Sequence, residues 1–192
     1  MKSANTEKTE LDRRGFIRLG LIAAASAIIS PHEAVASLGT KKAAAGARDL
    51  LIHNLHTEEH IHTTYYRDGR YLKDSMGQLN HIFRDHYNGR VRRIDPRLMD
   101  LLFAIKQRLG ADQPFELISG YRSPKTNENL RSKNKKVAKK SMHVYGKAAD
   151  IRLPGVSLKD LRRAAYEIQG GGVGYYPKSN FVHVDVGRVR FW

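Results

Sequence analysis

A chain of 192 residues, 41% hydrophobic and 28% charged, has the make-up of one folded domain, which excludes a disordered chain and leaves little room for a second core. Its 34 Lys+Arg against 19 Asp+Glu give a formal +15, a field that favours polyanionic partners such as nucleic acid, anionic lipid or an acidic wall polymer. Cysteine is absent, which excludes a disulfide framework and a thiolate zinc site, so any metal must sit on His, Asp or Glu.

Residues 1–36 read as an export signal. A charged start with Arg13-Arg14-Gly15-Phe16-Ile17 leads into an apolar stretch from Leu19 to Ile29, and Ala34-x-Ala36 supplies a small-residue cleavage site. The apolar stretch is shorter than the about 20 residues of a stable membrane-spanning helix, so cleavage after Ala36 is expected to leave no membrane span. The paired arginines resemble the twin-arginine signal that sends folded proteins across a bacterial inner membrane, which predicts a periplasmic protein. Beyond residue 36 there remain 29 Lys+Arg and 15 Asp+Glu, a formal +14, so the basicity belongs to the exported part. The periplasm normally holds no chromosome, so no nucleic-acid partner is expected, and the polyanion on offer there is the wall, peptidoglycan.

Residues 37–48 carry no strong periodicity and read as a flexible lead-in to a domain at 49–192. From Asp49 to Leu72 apolar and aromatic residues alternate near period two around Asp68-Gly69, which predicts an antiparallel start with a hairpin turn at that pair. A helix is expected over 74–89, capped by Asp74 or Ser75 and stopped at Asn88-Gly89. A clearer one follows, with Asp95 as cap, Pro96 in the first position, a stripe of Leu98, Leu101, Leu102, Ile105 and Leu109, and Gly110 as stop. Residues 114–120 read as a buried strand. The next twenty or so are polar and read as a loop, longer than most connections and therefore functional in expectation. A turn at Gly146 leads into a strand over 148–153. Ser157 and Asp160 form a capping box for a helix that glycines 170–172 close. Two short strands, GVGYY and FVHVDVG, finish the chain through a turn at residues 177–180. The mixture lacks regular alternation and contains no internal repeat, so the expected class is α+β: one domain with a small antiparallel sheet flanked by helices.

The chemistry concentrates in SMHVYGKAADI, residues 141–151, and in the closing FVHVDVG. His143 and Asp150 can meet if the turn at Gly146 folds the loop histidine back beside the strand aspartate. His183 and Asp185 fall two apart on a strand and so share a face. Two histidines and two carboxylates are the composition of a hydrolytic zinc site, which keeps a position for water. His53, His56, His60 and His62 are read as hairpin-surface and hydrogen-bonding residues, because no carboxylate spacing completes a second set. The basic run 131–141 either steers anionic polymer toward the neighbouring cleft or is a solvated loop.

Ser141-x-His143-x-x-Gly146-x-Ala148-x-Asp150, the VHVD at 182–185 and SGYRS at 119–123 together resemble the zinc D-Ala-D-Ala peptidases, whose fold the amino-terminal domain of hedgehog proteins shares. HNLHT at 53–57 and the closing GRVRFW bring the chain nearest to the murein endopeptidase K group, over nearly its whole mature length. The resemblance implies one zinc ion per chain held by His143, Asp150 and His183, with Arg122 binding a carboxylate or carbonyl of the substrate peptide through its planar fork. Ser123, Tyr121 and Tyr145 are expected beside it through their motif positions. Many relatives place a Glu or a second His near the last histidine ligand as catalytic base. Here the residue three before His183 is Asn180, so Asp185 becomes the candidate for base or for orienting partner. The implied activity is hydrolysis of peptide cross-links in peptidoglycan, by a protein expected to be a monomer. Two alternatives stand beside it: a catalytically silent zinc module that binds the wall, and a carboxypeptidase trimming terminal D-Ala.

Overall fold

Residues 46–135 and 137–192 are described by the computed structural model. The expected signal at 1–36, the lead-in up to residue 45 and Lys136 lie outside the described residues.

The antiparallel start forms as the alternation predicts. Arg48–Asn54 (β1) pairs with Glu59–Arg67 (β2) in a register running from Arg48 opposite Tyr66 to Asn54 opposite Glu59. Arg70–Tyr71 (β3) folds back on β2 through Asp68-Gly69, whose φ values of 51° and 77° are those of a tight hairpin turn.

Four helices follow. Lys73–Ile82 (α1) ends earlier than expected and has no side-chain cap, so neither Asp74 nor Ser75 plays that part. The chain beyond it is organised by Asp85, whose carboxylate accepts from the backbone N–H of Tyr87 and of Ser123. Pro96–Leu109 (α2) has the expected boundaries: the Asp95 side chain accepts from Arg97 N–H, and Gly110 closes the helix at φ 58°. Pro124–Lys133 (α3) occupies what reads in sequence as loop, with Ser123 as its cap. Leu158–Ile168 (α4) starts at the Ser157 cap and ends on Gln169 in the left-handed region, one residue before the glycines expected to close it.

The remaining strands are Phe115–Ser119 (β4), Ala148–Arg152 (β5), Gly172–Tyr176 (β6), Phe181–Asp185 (β7) and Arg190–Phe191 (β8). All eight lie in one sheet of order β3-β2-β1-β4-β5-β7-β6-β8. The α+β class holds. The sheet is wider than the small antiparallel one expected, and it is mixed, because β1/β4 and β6/β8 run parallel.

Register decides what the sheet presents. Across β5 and β7, Ala149 faces Val184 and Ile151 faces Val182, while Asp150 faces His183. Alternation along each strand therefore sends the aliphatic pairs to one side and the polar pairs to the other. The aliphatic side joins Leu98, Leu102 and Ile105 of α2 and Leu161 and Ala165 of α4 in the apolar core. Each buried Leu, Ile or Val among them contributes about 1.5–3 kcal/mol of transfer free energy. That core fixes the polar side as a site. Among the described residues no helix is long and apolar enough to cross a membrane.

Candidate metal centre

His143 sits in a short 3-10 turn, Met142–Tyr145, that Gly146 terminates at φ 67°. A Cβ at that glycine would lie 2.7 Å from the Arg93 carbonyl oxygen, so the turn needs both the left-handed backbone and the missing side chain. Gly146 also accepts from Asp95 N–H at 2.9 Å, which ties the turn to the start of α2.

The turn carries the His143 ring back over β5. Its Nδ1 lies 2.6 Å from the Gly120 carbonyl, a group that can only accept, so Nδ1 bears the proton and Nε2 offers its lone pair. That Nε2 lies 3.2 Å from Asp150 Oδ1 and 3.2 Å from His183 Nδ1, and the last two atoms are 2.8 Å apart. A tetrahedral ion with bonds of about 2.0–2.2 Å holds its ligands roughly 3.4 Å apart, so the three donors are spaced to share one. All three residues are buried, and this is the one group among the described residues able to hold a metal ion.

The protonation of His143 and of Asp150 agrees with that use, whereas at His183 burial is outweighed by the Asp150 and Asp185 carboxylates, which favour its charged form until a metal displaces the proton. Burial pushes the His143 imidazole toward its neutral form, the form a metal requires. Burial works against the Asp150 carboxylate, yet its polar neighbours hold the group well below the usual range, and the Arg122 guanidinium that donates to Oδ2 favours the ionised form.

Asp185 lies directly behind His183, whose Nε2–H donates to Asp185 Oδ2 at 3.0 Å. The same carboxylate accepts from the backbone N–H of Gly172 and Gly187 and from both terminal nitrogens of Arg190. It is fully buried, and the His183, Arg190 and Gly187 donors outweigh burial to keep it below the ordinary carboxylate range. A saturated carboxylate on the far side of the ring has no lone pair for a proton from the cleft. Its bonds place Asp185 behind the His183 ring, where an orienting partner sits, and outside the lining of the cleft.

Arg122 reaches the centre as expected from its motif. Its Nε donates to Ser119 Oγ at 2.8 Å and its Nη2 to Asp150 Oδ2, so Asp150 turns one oxygen to each side. The other three expected neighbours lie elsewhere. Ser123 is fully buried, accepting from Thr126 N–H and from Asn88 Nδ2–H as the α3 cap, which leaves its hydroxyl no route to substrate. Tyr121 belongs to the apolar core, its backbone N–H bonded to the Phe83 carbonyl. Tyr145 is exposed on the 3-10 turn and is not part of the cleft wall. Of the hairpin histidines, His53 stacks on His60, His56 stacks on His86 beyond α1, and His62 lies beside Asp49.

The centre opens into a cleft of ≈ 500 Å³ walled by Tyr176, Phe181, Trp192, Met142, Arg190 and Lys140. Among the described residues Asp150 is the one carboxylate in that lining. Trp192 is the residue that sequence reasoning leaves out: its ring lies 5.4 Å from that of His183, and its Nε1–H donates to Tyr176 Oη at 2.7 Å. The single tryptophan at the end of the GRVRFW segment was the available signal.

Residues 42–192 match the family described as peptidoglycan L,D-endopeptidase MepK. The peptidoglycan L,D-endopeptidase MepK of Escherichia coli (strain K12) is 43% identical over 187 residues, covering 97% of this chain and 100% of that protein. The protein of the same name from Shigella flexneri aligns with the same identity and coverage. A probable peptidoglycan L,D-endopeptidase MepK of Haemophilus influenzae is 36% identical over 182 residues, 94% of this chain and 95% of its own. With identity at this level over nearly the whole of both chains, the protein belongs to the peptidoglycan L,D-endopeptidase MepK family.

Proposed function

We propose that this protein is a zinc-dependent murein endopeptidase that hydrolyses peptide cross-links of peptidoglycan in the periplasm, which it reaches by the twin-arginine route. The observation that carries the reading is the convergence of His143 Nε2, Asp150 Oδ1 and His183 Nδ1, from three separate segments, in a chain whose relatives are L,D-endopeptidases. Two imidazoles and one carboxylate, without a thiolate, form a donor set that suits zinc and leaves a fourth position open. When bound, zinc polarises a carbonyl and lowers the pKa of a water toward neutrality.

The protein's own groups hold and orient the substrate. Arg122 has Nε and Nη2 engaged by Ser119 and Asp150, which fixes its guanidinium plane and leaves Nη1 for a peptide carbonyl or carboxylate. Lys140 adds positive charge to the same cleft, which suits the free carboxylates of stem peptides, while the charge of Arg190 is paired with Asp185. Tyr176, Phe181 and Trp192 form a largely apolar wall beside His183 against which the stems of a peptide can pack. Following the relatives' name, the bond cut is one between an L and a D centre.

Purified protein incubated with cross-linked muropeptides, with and without a chelator, tests this reading. Dimers are expected to fall to monomers, with the activity lost on chelation and in His183→Ala. Shortened stems would instead identify a carboxypeptidase, no change would identify a wall-binding module, and cleavage by His183→Ala would remove the metal assignment.

A further inference from the structure

We infer that Arg190 is a positioning residue of the metal centre, acting through Asp185 on the ring of His183; the inference rests on the reading of His183 as a ligand. Five N–H groups converge on the Asp185 carboxylate. Oδ1 accepts from Gly172 N at 3.2 Å, Gly187 N at 2.8 Å and Arg190 Nη1 at 3.1 Å, and Oδ2 from His183 Nε2 at 3.0 Å and Arg190 Nη2 at 2.6 Å. A carboxylate offers about four lone-pair directions, so this one has no freedom to turn. Arg190 supplies two of the five bonds and the permanent positive charge among them.

The fold is arranged to deliver that guanidinium. The two-residue strand β8 pairs parallel with β6 and sets Arg190 opposite Gly172. A side chain at Gly172 would collide with both partners, since a Cβ there lies 2.5 Å from Arg190 Nη1 and 2.5 Å from Asp185 Oδ2. The Trp192 ring covers the guanidinium at 5.0 Å, and Trp192 is itself latched by backbone bonds to Val173 and Tyr175. Without Arg190 the fully buried carboxylate loses its countercharge and its fixed angle. The imidazole whose Nε2–H it holds then turns more freely, and a ring held by one loosened bond binds metal less well.

Zinc affinity of the purified full chain, measured by competition with a chromophoric chelator, and the visible spectrum of the cobalt-substituted protein test this without reference to substrate. Arg190→Gln and Asp185→Asn are each expected to weaken zinc binding by about 10–100-fold. The double variant is expected to bind no more weakly than the worse single one, because both act through one carboxylate. The cobalt spectrum of Arg190→Gln should shift as the His183 ring reorients. Arg190→Lys, read in the same way should the glutamine variant fold poorly, is expected to lose affinity because a point charge cannot make both bonds. Wild-type zinc affinity in the Arg190 variants, or losses that add in the double variant, would overturn the inference. A wild-type protein that takes up no zinc would instead overturn the functional reading above.

Discussion

Gly120 lies 23 residues before His143 in the chain, yet its carbonyl selects which nitrogen of that imidazole faces Asp150 and His183. The carbonyl reaches its place because the Gly120 backbone packs against Phe83, where a Cβ would come within 2.5 Å of the Phe83 oxygen. Gly120→Ala must therefore push backbone against backbone, with no flexible side chain to yield. We expect it to destabilise the fold by about 1–3 kcal/mol and to weaken zinc binding with it, read by urea denaturation and chelator competition. Wild-type values in both would contradict this account of the glycine. At this scale the convergence of the three side chains was legible: His143, Asp150 and His183 stand out as polar residues in segments otherwise small and apolar, and the structure brings them into one group that could hold a metal ion. The part played by Asp185 was not legible as a choice between base and orienter. That choice depends on how many donors reach the carboxylate, and two of those come from glycine backbones whose sequence names no such role.

Helix α3 marks the limit of reading elements from periodicity. Its sequence PKTNENLRSK carries Leu130 as its one large apolar residue, so no stripe announces a helix, and a polar loop was the natural reading. The start signal was nonetheless present: Ser123 before Pro124 repeats the arrangement of Asp95 before Pro96 that correctly marked α2. Ser123→Ala is expected to cost about 1–2 kcal/mol of stability through the lost cap, while leaving the KM for muropeptides at the wild-type value. A raised KM at unchanged stability would restore Ser123 to the substrate-binding role that its motif position suggested. Strand β8 escaped prediction for a different reason. Two residues show no alternation, and what holds them is the pairing of Gly172 with Arg190 and Val173 with Phe191 across the sheet edge.

For the whole molecule, the class and the order of segments were legible and the breadth of the sheet was not. Alternation assigns strands but does not say which strands are neighbours. The site exists because β5 lies between β4 and β7, which brings Ser119, Asp150 and His183 into one row. A register slip of one residue would turn Asp150 into the core and break that row, and the aliphatic pairs Ile151–Val182 and Ala149–Val184 forbid it. On the proposed reading the fold sets the three donors side by side before any ion arrives, and the formal +14 of the exported part serves the approach of substrate rather than the holding of the metal. The most direct test of that claim is the zinc content of the gently purified protein beside that of Asp150→Ala, measured by elemental mass spectrometry. One zinc per wild-type chain and almost none in the variant are expected. A wild-type chain without zinc, or a variant that keeps its full complement, would contradict it.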